Sequence, residues 1–180
     1  MKTLVIGISD CQVSAEPDAE LVTYALGSCI AVSVWDPLRR IAGLLHFMLP
    51  ESSLDAHKAE ANPCMFADTG IDRLFRTACE KGAERRRLVV RLAGGAQVLD
   101  PQGVFNIGKR NYLAARKLLW KYGILIASEA VGGEVSRTVR LTIEDGRLRV
   151  REGNGTETEL PLHAPSRKEV ANGVPSVAGR

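Results

Sequence analysis

The sequence predicts an α/β sandwich of largely antiparallel strands carrying two main helices. Strand-like runs outnumber helical ones, they fall into antiparallel pairs towards both ends of the chain, and only the middle alternates helix with strand. That distribution favours stacked sheets over a doubly wound parallel sheet, in which the alternation would run throughout.

Leu4 to Ile8 is a short apolar, β-branched run, and a polar stretch through Glu16-Pro17-Asp18 separates it from a second strand at Leu21 to Leu26. Gly27-Ser28 interrupts the pattern. Cys29 to Trp35 then alternates, Asp36-Pro37 marks a turn, and Ile41 to Leu49 completes a β-hairpin. From Glu51 to Pro63 the polar, small-residue composition reads as a surface loop, after which Asp68 or Thr69 offers an N-cap. The first helix carries Ile71, Leu74, Phe75 and Ala78 on one stripe and stops at Gly82. Leu88 to Ala93 is a strand running into Gly94-Gly95. A second helix begins near Gly108, with Tyr112, Ala115, Leu119 and Tyr122 on one face and Gly123 as its stop; strand Ile124 to Ala130 follows. Arg137 to Ile143 and Arg147 to Arg151 flank Glu144-Asp145-Gly146 as a solvated terminal hairpin. The expected organisation is one domain over residues 1–155 and a flexible polar tail over 156–180.

With 180 residues, 45% of them hydrophobic, the chain can bury a core without staples. The formal charge of +3 is spread along the chain rather than concentrated, which argues against nucleic acid as a partner. Neither a signal-peptide pattern nor an apolar run long enough to span a bilayer is visible, so a cytoplasmic protein without membrane insertion is expected. The four cysteines, at 11, 29, 64 and 79, lack zinc-type spacing with one another or with the histidines at 46, 57 and 163, so reduced thiols and no metal are expected.

One pair of residues suggests chemistry. A two-residue turn at Pro37-Leu38 would set Cys29 directly across from His46. In that register Ile30, Val32 and Val34 share a wholly apolar face with Leu45, Gly43 and Ile41. Cys29, Ala31, Ser33 and Trp35 share a mixed face with His46, Leu44, Ala42 and Arg40. An imidazole beside a thiol can hold it ionised and later protonate a departing amine, which suits amide hydrolysis. Against this stands the plain structural reading, since cysteine is among the most buried residue types. Thr23 could orient the imidazole. No comparable histidine accompanies Cys11, Cys64 or Cys79, and His57 and His163 lie in polar segments. The glycines of Gly94-Gly95-Ala96 fit no phosphate-binding pattern and read as a tight turn or close backbone approach. Gly108-Lys109-Arg110-Asn111 opens a helix and could meet an anion or acidic side chains on a protein partner.

Leu26-Gly27-Ser28-Cys29, followed seventeen residues after the cysteine by His46 in His46-Phe47-Met48-Leu49-Pro50, resembles the CheD family of chemoreceptor glutamine deamidases. Thr23 stands where that family has its catalytic threonine. Gly94-Gly95-Ala96 and Phe105-Asn106-Ile107-Gly108-Lys109-Arg110-Asn111 look like its other recurring motifs, in the right order. Phe66 replaces a common tyrosine, Ser136 replaces a common glycine, and the stretch beyond Gly155 has no counterpart. The resemblance implies a sandwich related to the catalytic domain of the cytotoxic necrotizing factors. It implies hydrolysis of glutamine side chains on methyl-accepting chemoreceptors through Cys29, His46 and Thr23, without a cofactor, and a CheC-type phosphatase as a further partner. Backbone N–H groups around Gly27 and Ser28 are the expected oxyanion support. The rivals are a non-catalytic adaptor that binds receptors or such a phosphatase, and a papain-like thiol hydrolase, whose Cys-Gly-Ser-Cys-Trp type of signature is absent.

Overall fold

A computed structural model describes residues 1–98 and 106–163; Phe105 and the expected tail from 164 to 180 lie outside the described residues. In chain order the elements are β1 (Lys2–Val5), β2 (Asp10–Ser14), β3 (Ala19–Leu26), β4 (Ile30–Asp36), β5 (Ile41–Phe47), α1 (Ala56–Ala61), α2 (Ala67–Glu80), β6 (Val89–Gly94), α3 (Ile107–Lys121), β7 (Ile126–Val131), β8 (Arg137–Thr142), β9 (Leu148–Glu152) and β10 (Glu157–Leu160). They form two five-stranded sheets, ordered β1-β3-β8-β9-β10 and β2-β5-β4-β6-β7. Both sheets are mixed: β1 runs parallel to β3 and β6 parallel to β7, while every other neighbouring pair is antiparallel. The architecture is therefore α/β, with two main helices.

Two apolar layers hold it together. The first lies between the sheets, where Leu21, Leu26, Val139, Leu141 and Val150 meet Ala31, Trp35, Ala42 and Leu44. The second lies on the other face of the β2–β7 sheet, where Val32, Val34, Leu45 and Leu92 pack on Ile71, Leu74 and Phe75 of α2 and on Ala115 and Leu119 of α3. Strands β4 and β5 are thus covered on both sides, and every residue in them is buried. The face that reads as mixed in sequence is buried because a second sheet closes over it. The same closure corrects the expectation of a solvated terminal hairpin: β8 and β9 bury Val139, Leu141, Leu148 and Val150 against the facing sheet.

The β4–β5 register also differs from the expected one. Four residues, not two, make the connection, so Asp36 pairs with Ile41 and Ala31, not Cys29, lies opposite His46. The Asp36 carboxylate explains the longer turn, since its Oδ1 accepts the N–H groups of Leu38 at 3.0 Å and Arg39 at 3.2 Å. A slip of two residues leaves every side chain on its expected face, whereas a slip of one would have exchanged the faces.

Smaller differences have local causes. The polar stretch after Ile8 contributes β2, which pairs with β5 at the sheet edge. The Glu51 to Pro63 stretch, expected to be a loop, contains α1, capped by the Asp55 side chain. Helix α2 starts at Ala67 behind Phe66, so neither Asp68 nor Thr69 caps it. Asp68 is committed elsewhere, accepting the Ser52 hydroxyl at 2.6 Å, and Thr69 donates its hydroxyl to the Pro63 carbonyl at 2.6 Å. Beyond the expected boundary at residue 155, β10 pairs with β9 and buries Leu160.

At the far end of β4, Asp36 also meets the Arg87 guanidinium at 2.8 Å and the Glu84 N–H at 2.8 Å. Burial alone would raise its carboxyl, but Arg87 and the N–H groups of Glu84, Arg39 and Leu38 outweigh that and hold the pKa down to about 2. The folded value lies below the unfolded one, so the stabilisation is present above the unfolded pKa and is lost as pH falls towards 2. Urea titrations at pH 5 and pH 2 should show that about 1–2 kcal/mol of the wild-type loss disappears in Asp36→Asn, screening by solvent at Arg87 included.

Candidate active site

Thr23 lies on β3, just before a register slip against β8 that accompanies the left-handed Ala25 at φ 55°. Its side chain is fully buried and points across the inter-sheet layer. The hydroxyl oxygen is 2.8 Å from the Ile6 carbonyl and 2.8 Å from His46 Nδ1. A hydroxyl has one hydrogen, and a carbonyl can only accept it. Thr23 therefore donates to Ile6 and accepts from His46, which places the imidazole proton on Nδ1 and leaves a lone pair on Nε2. That Nε2 is buried and makes no hydrogen bond among the described residues. Burial pushes the His46 pKa down to about 4, so the ring is neutral at pH 7.

Cys29 lies one residue before β4 and packs against the inter-sheet layer that also holds Ala31. With His46 opposite Ala31, the two candidate residues are diagonal neighbours on one face rather than directly opposed. Such a diagonal spans roughly 7–8 Å between backbones, within reach of a histidine ring. Burial raises the thiol pKa, opposed more weakly by its own N–H. Both shifts run against a thiolate–imidazolium pair and favour a neutral thiol and a neutral imidazole.

The Gly27-Ser28-Cys29 turn is held carbonyl by carbonyl. Gly27 O accepts the Ala96 N–H at 2.8 Å, and Cys29 O accepts the Gly95 N–H at 2.8 Å. Ser28 O accepts Asn111 Nδ2 at 2.9 Å. The same amide donates to Met48 O at 2.9 Å, tying the Cys29 turn to the residue that follows β5. Asn111 is fully buried, and both hydrogens of its amide are used. These contacts require close backbone approach. A Cβ on Gly94 would stand 2.2 Å from Cys29 O, and one on Gly108 would stand 2.4 Å from Gly95 O. With the carbonyls engaged, no backbone carbonyl among the described residues accepts from Ser28 or Cys29 N–H.

Above the turn opens a cleft of about 440 Å³ whose lining includes Ser28, Cys29, Gln97, Val98, Ile107 and Ser136. Its wall is mostly apolar, with Val98 and Ile107 partly exposed at the rim. Ser136, a departure from the expected pattern, lines this cleft, whereas Phe66 is wholly buried away from solvent. The other thiols lie outside it: Cys11 lies on β2, Cys64 is buried ahead of α2, and Cys79 is exposed on α2. His57 and His163 are exposed. Among the described residues no group of three or more His, Cys, Asp or Glu side chains could hold a metal ion.

The model of the CheD chemotactic sensory transduction family matches residues 48–152. A probable chemoreceptor glutamine deamidase CheD of Solibacter usitatus is 54% identical over 167 residues, covering 93% of this chain and 98% of the relative. The chain belongs to the CheD family. Further CheD relatives are a probable chemoreceptor glutamine deamidase of Syntrophus aciditrophicus, 48% identical over 89% of this chain and all of its own length. Another, from Anaeromyxobacter dehalogenans, is 44% identical over 86% of this chain and 97% of its own length.

Sequence reasoning did not find Asn111 as a clamp on the Cys29 turn. The signal was present in the Gly108 to Asn111 motif, but a helix start with two cations suggested an anion instead.

Two outcomes are expected. Rates of Cys29 alkylation by iodoacetamide, followed by peptide mass spectrometry, should keep climbing through pH 9; a plateau reached by pH 7 would instead signal a preformed ion pair. Asn111→Ala leaves the Ser28 and Met48 carbonyls without their buried donor and should cost about 2–4 kcal/mol in urea unfolding.

Proposed function

We propose that this chain hydrolyses the side-chain amide of glutamines on methyl-accepting chemoreceptors, giving glutamate and ammonia, with Cys29 as nucleophile, His46 as base and acid, and Thr23 as the group that orients the imidazole. The observation that carries the reading is the cleft that opens on Cys29 in a chain half-identical to proteins named as chemoreceptor glutamine deamidases.

A glutamine side chain is long enough to reach Cys29 while its backbone stays outside the rim. As Sγ attacks the amide carbon, the thiol proton passes to His46 Nε2, the one ring nitrogen with a free lone pair. Because the thiol and the ring both resist charge beforehand, transfer accompanies attack and does not precede it. The developing oxyanion meets the unengaged N–H groups of the Gly27-Ser28-Cys29 turn. His46 returns the proton to nitrogen, the C–N bond breaks and ammonia leaves, with the acyl group held as a thioester. Water then gives its proton to His46 and adds to the thioester carbon. The C–S bond breaks, the sulfur regains a proton, and glutamate is released. Throughout, Thr23 accepts from Nδ1 and keeps the lone pair on Nε2.

Every group in this sequence belongs to the chain, so the reading uses no cofactor. It places the protein in the cytoplasm, where receptor signalling helices are reached, and among the described residues no helix is long and apolar enough to cross a membrane. A CheC-type phosphatase fits the same reading as a regulator that occupies the deamidase. Kinship of the two-sheet architecture with the cytotoxic necrotizing factor catalytic domain belongs to it as well.

Mass spectrometry of a receptor cytoplasmic fragment is the test. Wild-type protein should add about 1 Da per converted glutamine, Cys29→Ala should add none, and Thr23→Val should slow conversion roughly 10- to 100-fold while Thr23→Ser stays near wild type. Receptor binding by the wild type without any mass change would make the chain an adaptor, and full conversion by Cys29→Ala would remove the proposed nucleophile.

A further inference from the structure

Helix α3 has two working faces, and the site uses only the inner one. On the outer face Leu113 is 52% and Trp120 82% exposed, and Leu125 just beyond the helix is 88% exposed. Leu113 and Trp120 are seven residues apart and so lie on one stripe. Lys109, Arg110, Arg116, Lys117 and Lys121 border that stripe, and the helix sequence contains no acidic residue. Only Arg116 is engaged, with Tyr112 at 2.8 Å and Glu129 at 3.9 Å; the other four make no ion pair among the described residues.

Helix stability does not account for this pattern. Lys109 and Arg110 occupy the first turn, where the positive end of the macrodipole disfavours cations, and no acidic residue offsets them there. A large exposed indole likewise adds nothing to the fold. Position is the second clue, because the helix begins at the cleft: Ile107 and Gly108 line it. The stripe therefore runs outward from the rim for about 20 Å, three to four helical turns.

We infer that the outer face of α3 docks an acidic amphipathic helix of the protein that carries the target glutamine. An apolar pair at heptad spacing, flanked at three and four residues by cations, complements a helix with apolar residues at the same spacing and carboxylates beside them. This inference rests on the reading of the cleft as a glutamine site, since a side chain can enter the cleft only if its backbone lies along the rim. An anionic bilayer also attracts basic faces with tryptophan, but it offers no amide for Cys29, and the stripe is continuous with the cleft.

Kinetics on a chemoreceptor cytoplasmic fragment, with full-length chain, separate the cases. Leu113→Ser/Trp120→Ser and Arg110→Glu/Lys117→Glu should each raise KM about tenfold or more with kcat within about twofold, while Cys29 alkylation stays at the wild-type rate. Wild-type KM should rise several-fold between about 50 and 300 mM salt, and the charge-reversed variant should lose that dependence. All four side chains are exposed, and two chemically unlike pairs guard against one of them misfolding. Unchanged KM in both pairs overturns docking. So does a lowered kcat at constant KM, loss of binding to phosphatidylglycerol vesicles with deamidation kinetics intact, or a wild-type dimer that the variants dissociate. If Cys29→Ala still converts glutamine, the cleft reading fails whatever α3 does; if that variant is dead and the α3 variants are normal, docking alone fails.

Discussion

The hydrogen atom of the Thr23 hydroxyl is the constraint on which the candidate site depends. Donated to Ile6, it obliges the same oxygen to accept from His46 and so determines which ring nitrogen keeps its lone pair. Three backbone segments meet there: the residue after β1, the second half of β3 and the end of β5. Because β3 and β5 belong to different sheets, the contact also fixes how the sheets face each other around the imidazole. Burial of the ring in the inter-sheet layer is what depresses its basicity.

A second constraint organises the sulfur side. The Gly27-Ser28-Cys29 turn is gripped through its carbonyls by the residues that follow β6 and by α3, segments that arrive much later in the chain. Gripping the acceptors leaves the donors available, and that division of backbone groups gives the turn its chemical polarity. Asn111 contributes more than satisfaction of one carbonyl, since a single planar amide spans both Ser28 and Met48 and so ties the turn before β4 to the residue after β5.

Much of this was legible in the sequence, and the boundary of legibility is physical. Alternation in Cys29 to Trp35 and Ile41 to Leu49 gave the correct faces, because side chains alternate whatever the turn does. Register failed by two because it hangs on Asp36, whose carboxylate organises a longer turn that composition does not reveal. The helix stripes were visible for the same reason as the strand faces, and both helices stop just before Gly82 and Gly123 as expected. Thr23 was expected beside the imidazole, and its hydroxyl does meet His46 across the two sheets; hidden was Asn111 beneath Ser28, a contact between distant segments. The pairing of β10 with β9 was masked by a polar composition suited to an edge strand with one exposed face.

For anyone wishing to redesign the cleft, the positions in and behind its walls divide into two kinds. At Gly94 and Gly108 the room for a side chain is already taken by a neighbouring carbonyl oxygen, so variation there would be read first as backbone displacement. Val98 and Ile107, half open at the rim, face solvent on one side and can change size without moving a strand. Altered substrate preference is therefore to be sought by directed evolution in those two rim positions, with the glycine scaffold kept constant in every library.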